Sequence, residues 1–398
     1  MRDVHLGWSN FCEVSKEIGI VSLLKNLFAA LLLRVLRPWI TIRIAPIDSS
    51  RIGYFAFEPE LYLCRKSMGY FPKGTVDFFY HKEPISNNQL QRMWERVIPF
   101  CEAGKNIDRV SQLLPGHIHH NIVMTIDPFE NTNEILKGSF SHLFFTPEEE
   151  KQGYKRLFHM GIKKEDLFIC FINRDSLYLN QHLKNENWEF QNYRDSDIKN
   201  YLTAAERMTN LGYWAIRLGA VVKAPLSISN PRIIDYAIKY REEFLDIFLV
   251  AKCHFLIAQN SGPYVLCSVF RRPVAFVNLC PFLGTNGFFN DHDLFIPKKY
   301  WLPKGNRLMS FQEILASGAG NFTRSEQFMQ HGIELLENTP EEILEISLEM
   351  EKRLTNTWVE TQEDRFRQQQ LFQLAQKYGY RIPRMGCGYL KENQEWLL

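Results

Sequence analysis

Residues 166–173 read DLFICFIN, a short apolar run with no polar residue between Leu167 and Ile172. A strand with one wet face alternates apolar and polar residues. An unbroken run of this length instead fits a central strand of a parallel sheet, covered by helices on both sides. The segments that follow repeat the theme. Residues 213–219 (YWAIRLG), 254–260 (HFLIAQN) and 272–279 (RPVAFVNL) are further strand candidates. Helical stretches lie between them: one from Ser196 or Asp197 to Thr209, stopped by Gly212, then EEFLDIFLVAK at 242–252 and SGPYVLCSVF at 261–270. Strand and helix alternating over short links specify a doubly wound α/β domain.

Upstream, WITIRIAPI at 39–47 alternates as a half-buried strand does. It runs into a turn-like stretch from Asp48 to Gly53, which opens YFAFEPELYLCRK. A second strand candidate, VDFFYHKE at 76–83, leads to a helix starting near Asn87 and Asn88. Thr146-Pro147-Glu148-Glu149-Glu150 combines a capping hydroxyl, a first-turn proline and acids at the positive helix end, so a helix starts there. Pro340, Glu341 and Glu342 mark another start, and the tail beyond Thr339 reads as helical. The expected division is an amphipathic helical segment (1–38), an N-terminal domain (39–146), a linker helix (147–165), a C-terminal domain (166–338) and a helical tail (339–398).

A chain of 398 residues is comfortable for two such domains and buries enough apolar surface to need no disulfide or metal staple. A net charge of +2 is too small for a body that wraps nucleic acid. The eight cysteines are scattered without a C-x-x-C pair, mostly inside apolar runs, which fits buried thiols in a reducing cytoplasm. Residues 18–40, IGIVSLLKNLFAALLLRVLRPWI, carry no cleavage pattern, and Lys25 interrupts a run too short to span a bilayer. The stretch 18–37, with Lys16, Lys25, Arg34 and Arg37 around a Leu/Phe surface, suits either a helix lying on a membrane or one packed on the protein's own core.

Ligands of doubly wound sheets bind beyond the carboxyl ends of the strands. Three such ends carry Asn173-Arg174-Asp175, Arg217 with Gly219 and Lys223, and Ser261-Gly262 opening a helix. Guanidinium groups beside a helix amino end suit a diphosphate. No G-x-G-x-x-G follows a first strand and no G-x-x-x-x-G-K-[ST] occurs, which disfavours dinucleotide redox enzymes and P-loop ATPases. Asp195-Ser196-Asp197 and Asp291-His292-Asp293 have the spacing of a metal pair, but the first falls at a helix start and the second in a loop with no preceding strand. No metal and no cofactor is expected. Candidate bases are Glu60, Glu58 and His117, the last from the cluster 117–120 (HIHH).

The runs INRDSLYLN (172–180), YRDSDIKNYLTAAERMTNLGYWAIRLGAVVKAPL (193–226), NPRIIDYA (230–237), FRRPVAFVN (270–278) and ENTPEEI (337–343) together resemble a family of bacterial glycosyltransferases of surface-polysaccharide synthesis. GYFAFEPELYLCRK (53–66) and HLFFTPEEEKQGYKRLFHMGI (142–162) extend the similarity over roughly residues 40–360. The resemblance implies a GT-B-like α/β fold: two Rossmann-like doubly wound domains facing a cleft, with a nucleotide-sugar donor held in the C-terminal one. Surface-polysaccharide synthesis implies a glycan acceptor, and a lipid-linked one follows if the 18–37 helix lies on a membrane; the expected enzyme is cytoplasmic, peripheral at the inner face of the membrane in that case, and binds no nucleic acid. The resemblance places Arg174, Asp175, Arg217, Ser261 and Gly262 around the donor. The NRD motif also resembles fucosyltransferases that use an arginine there for the donor pyrophosphate. Retaining GT-B enzymes often carry a Glu pair near the last donor helix, and SGPYVLCSVF has no acid, which leans toward inversion. An epimerase or hydrolase of nucleotide sugars, or a non-catalytic sugar-nucleotide-binding subunit on the same fold, stays open.

Overall fold

A computed structural model describes residues 14, 16–124, 132–182, 187–283 and 290–397. The chain divides into two compact units, Met1–Phe144 and Phe145–Leu398.

The first unit opens with helix α1 (Ile20–Leu36), followed by strand β1 (Thr41–Ile47), helix α2 (Ile52–Ser67), strand β2 (Thr75–His81), and helices α3 (Asn88–Glu95) and α4 (Gly104–Ser111). β1 and β2 pair in parallel from Thr41 with Thr75 to Ile47 with His81. Arg43 on β1 and Asp77 on β2 form a buried two-pronged ion pair, Nε to Oδ1 at 2.6 Å and Nη2 to Oδ2 at 2.8 Å. The Tyr62 hydroxyl donates to the same carboxylate at 2.6 Å and locks α2 onto the strands. Both strands end at one edge, where the Lys82 N–H donates to Ile47 O at 3.0 Å and the Ser86 N–H to Ser49 O at 2.8 Å.

The expected turn at Gly53 is instead the first turn of α2, and the helix runs on through Pro59. Proline has no N–H for the carbonyl four residues back, so that oxygen needs another donor. Here Phe55 O accepts the indole N–H of Trp94 on α3 at 2.8 Å, and both residues are fully buried. The helix survives its proline because a neighbouring helix supplies the missing donor.

The second unit starts with helix α5 (Pro147–His159), where Thr146 and Glu149 exchange hydrogen bonds in a capping box. Then follow β3 (Phe168–Ile172), helix α6 (Leu202–Asn210), β4 (Trp214–Arg217), β5 (Ile233–Ile234), helix α7 (Glu243–Lys252), β6 (Leu256–Ala258), helix α8 (Gly262–Val269), β7 (Val274–Leu279) and β8 (Leu294–Pro297). β9 (Lys299–Leu302), β10 (Arg307–Leu308) and β11 (Glu334–Leu336) form a small antiparallel sheet, and helix α9 (Pro340–Leu354) precedes β12 (Arg384–Met385).

The main sheet has seven strands in the order β12-β8-β7-β6-β3-β4-β5, every pair parallel. Counted from β3, the first six strands stand in the doubly wound order 3-2-1-4-5-6, with the topological switch between β3 and β6. β3, β6, β7 and β8 are buried along their whole lengths, as strands covered on both faces must be. The second unit is therefore a Rossmann-like α/β domain. In the first unit the described residues contribute the two parallel strands.

Among the described residues no helix is long and apolar enough to cross a membrane. Among the described residues seven cysteines form no disulfide, all but Cys101 of them buried, and Cys12 lies outside the described residues.

Candidate functional site

The carboxyl edge of the seven-stranded sheet is organised by one segment, residues 191–197, which lies across three strand ends. At the end of β3, Asn173 Nδ2 donates to Ser196 O at 2.7 Å, and the Ser196 N–H donates to Arg174 O at 3.2 Å. Beyond β6, Gln259 Oε1 accepts the Ser196 hydroxyl at 2.5 Å, and Arg194 Nη1 reaches Asn260 O at 3.4 Å. Beyond β8, Lys298 Nζ donates to Asp195 O at 2.6 Å. The chain thus gathers Arg174, Arg194 and Lys298 at the sheet edge on either side of the switch.

Two of these cations are buried and Arg194 is half-buried, with the Asp195 carboxylate paired to Arg174. Arg174 is 8% exposed and Lys298 4%. Arg174 Nη1 bonds the Asp195 carboxylate and Gln191 O, but its Nη2 is buried with no hydrogen-bond partner. Arg194 Nε and the Ser261 hydroxyl are buried and unpartnered in the same way. Burial, and after it the charge of Arg194, pulls the Arg174 guanidinium down to about 10. Burial also lowers Lys298, with Arg174 adding to the effect. Buried donors left without acceptors cost on the order of 1–3 kcal/mol each, so a site that keeps several of them is built for an acceptor it does not itself supply.

Ser261 caps α8 in position only, since its side chain makes no capping bond. The first N–H groups of that helix have no partner within it, and they carry its positive dipole end. Next to the cluster is a cavity of about 620 Å³, lined among others by Tyr193, Asp195, Lys298, Ser325, Phe328 and Glu337. That volume suits a nucleoside. Tyr193 and Phe328 stand there with ring centroids 5.3 Å apart.

The other expected donor residues fall around this cluster in different roles. Arg217 is almost fully buried, with Nη1 on Ala224 O at 2.8 Å and on the Asp235 carboxylate at 3.4 Å. It braces the loop after β4. Gly219 sits at φ 156° where a Cβ would lie 2.6 Å from Val222, so that loop needs glycine. Asp175 accepts the Lys223 N–H at 3.3 Å and the Leu177 N–H at 3.0 Å, tying the loops after β3 and β4 together, while the Lys223 side chain is exposed. Gly262 is the first residue of α8. Nothing local in the sequence singles out Arg194 or Lys298: Arg194 adjoins the D-x-D string whose spacing suits a metal pair, and Lys298 follows a four-residue strand, LFIP, too short to carry a pattern.

In the first unit, Glu58 and Glu60 lie on different faces of α2. Glu58 is beside Asp48 and Lys82, past the carboxyl ends of β1 and β2. Burial, then the Asp48 charge, raises it to about 7, against the pull of the Asp48 backbone N–H and of Lys82. Glu60 is completely buried, and its Oε2 accepts the His142 N–H at 3.2 Å and meets the His142 ring at 3.3 Å. Hydrogen bonds with Cys64 and Glu60 raise His142 to about 9, so the ring is cationic at neutral pH. His117 is on a short 3-10 turn whose His120 bonds Ile42 O at 2.8 Å. That is the amino end of β1, opposite the end where Glu58 stands.

Glu60, Cys64 and His142 place their ligand atoms within 4.8 Å of one another and could hold a divalent cation of zinc type. The two D-x-D strings have local duties instead. Asp195 pairs with Arg174, Asp197 caps the turn at 198–201, and Asp293 accepts the Val274 N–H at 2.8 Å.

No protein-family model matches the chain, and no curated protein matches it. Among solved structures, a glycosyl transferase family 9 protein from Veillonella parvula DSM 2008 is similar over 65% of this chain and 86% of its own, at 12% identity and a TM-score of 0.42. The E. coli ADP-heptose LPS heptosyltransferase II is similar over 59% of this chain and 84% of its own, at 11% identity and a TM-score of 0.37.

Proposed function

We propose that the chain is a glycosyltransferase that takes a sugar from a nucleotide-diphosphate donor to a glycan or lipid-linked glycan acceptor. The observation that carries this reading is the buried pair Arg174 and Lys298 with the half-buried Arg194, two of them holding unspent guanidinium N–H groups, beside the open amino end of α8. A diphosphate supplies several acceptor oxygens and two or more negative charges, which answers both deficits at once. The neighbouring cavity takes the nucleoside.

In the transfer, an acceptor hydroxyl oxygen forms a bond to the anomeric carbon. The bond from that carbon to the diphosphate oxygen breaks, and its electron pair leaves on the diphosphate. Arg174, Arg194, Lys298 and the α8 amides stabilise the charge that grows there, and they act most strongly as the bond breaks. Glu58 takes the acceptor's proton, its acidity being set near the pH at which a base works best. The step is a single displacement with inversion, because α8 carries no carboxylate to act as a nucleophile. No metal is assigned to the donor, since three cations already face its phosphates.

A thermal-shift panel of UDP, GDP, CMP and dTDP tests the site. One of them should raise the apparent Tm by several degrees, at about 2–4 °C per kcal/mol of binding. Arg174→Ala should abolish that shift and lower turnover by about 100-fold or more. A folded Arg174→Ala protein that binds the same nucleotide unchanged would overturn the assignment. Incubation with donor alone separates transfer from epimerisation or hydrolysis, because a transferase leaves the sugar nucleotide largely intact.

A further inference from the structure

Helix α1 is packed on one side only. Leu23 and Ala30 bury themselves against Val110 of α4, with Leu27, Ile107 and Leu114 partly buried around them. Arg34 is drawn inward as well: its Nη2 donates to Ser111 O at 3.1 Å and its Nε to Pro115 O at 3.0 Å. The adjoining face is apolar and bare. Ile20, Leu24, Phe28, Leu31 and Val35 recur at three- and four-residue intervals, so at 100° per residue they line one face of the helix. Phe28 is 71% exposed, and Trp39, just past the helix end, 77%. A monomeric soluble surface rarely leaves such a stripe uncovered.

The charges around the stripe are all of one sign. Lys16, Lys25 and Arg37 are exposed, and no acidic residue occurs from Ile18 to Ile47. Glu17 is engaged with Arg109. A second copy of the chain would set these cations against their own counterparts, since a two-fold contact pairs a patch with itself. An anionic bilayer offers the complementary charge together with an apolar interior, and a tryptophan at the helix end belongs at headgroup depth.

We infer that α1 is a membrane-docking helix, lying in the plane of an anionic lipid surface with the Ile20–Val35 stripe sunk below the headgroups and Lys16, Lys25 and Arg37 at their level. This holds whether or not the chain transfers sugars.

The test is co-sedimentation of the full-length protein with phosphatidylglycerol/phosphatidylethanolamine vesicles and with phosphatidylcholine vesicles. Wild-type protein should pellet with the anionic vesicles, much less with the neutral ones, and less as salt is raised. Combining Leu24→Ser, Phe28→Ser and Leu31→Ser should weaken partitioning by at least about 10-fold. Its melting temperature should match wild type, because those side chains are exposed in the fold. The pair Val359→Ser and Phe366→Ser, equally exposed but in the second unit, should pellet as wild type does. Wild-type protein that stays in the supernatant would overturn the inference, as would a triple variant that still pellets. So would light scattering that shows a wild-type dimer dissociated by the triple substitution, which gives the face to a second copy. If vesicle binding appears only after residues 1–13 are removed, the chain covers the stripe itself and the inference also fails.

Discussion

A carboxyl group near neutrality gives up and takes protons at the pH where an enzyme works, and two surroundings of Glu58 put it there: a partly closed site and the charge of Asp48. Its activity should therefore rise with pH through about 7. Replacing Asp48 with Asn removes one of the two raising causes and should move that limb to lower pH, read from kcat/KM profiles. Glu58→Gln should lower kcat by about 100-fold or more and flatten the profile. Stability runs the other way. The folded pKa lies above the unfolded one, so the folded protein holds the proton more tightly, and ionising Glu58 costs stability as pH climbs from 4.5 through about 7. Glu58→Gln should thus stabilise the protein above neutrality and leave it unchanged below pH 4.5, measured by urea melts at the two pH values. At this scale the sequence reached only part of the way. Glu58, Arg174 and Ser261 are legible as polar residues past strand ends. That Arg217 faces inward to Asp235 depends on the chain turning back at Ile233–Ile234, which no local pattern announces.

Helix starts are the best-read elements, because capping chemistry is local. Thr146 with Glu149 and Thr339 with Glu342 both close capping boxes where the Thr-Pro-acid strings stand. Thr339→Ala should cost about 1 kcal/mol in chemical denaturation. Other features of the helices come from distant partners. Gly153 of α5 presses against Phe248 of α7, where a Cβ would meet the ring at 2.3 Å. Gly153→Ala should destabilise the second unit by roughly 1–3 kcal/mol despite alanine's better helix propensity. The proline in α2 is the clearest case of a misleading local signal. Read alone, it argues for a break, and only the indole of Trp94 explains why there is none. Trp94→Phe keeps much of the apolar volume but orphans Phe55 O, and should cost about 1–3 kcal/mol beyond the loss of packing.

For the whole molecule, alternation of buried strands with helices was readable because each central strand is wrapped on both faces and so spells its burial in an unbroken run. The edge strands β5 and β12 are two residues each, too short to leave a pattern. Lys298 joins Arg174 only through the sheet order, 124 positions of chain apart by their numbers (298 less 174). A bound nucleotide should leave its mark accordingly. Hydrogen exchange with the nucleotide that stabilises best should slow in peptides holding residues 173–175, 191–197 and 298, and stay unchanged in β1 and β2. Equal slowing in both units would count against a donor site confined to the second. The bond from Trp94 to Phe55 spans 39 positions of chain. A helix whose first-turn carbonyl is mended from so far away cannot mature by itself. In a growing or refolding polypeptide, α2 stays frayed at Pro59 until α3 arrives, so the two helices should gain protection together, as one cooperative event, and a nascent chain cut short before Trp94 should hold neither.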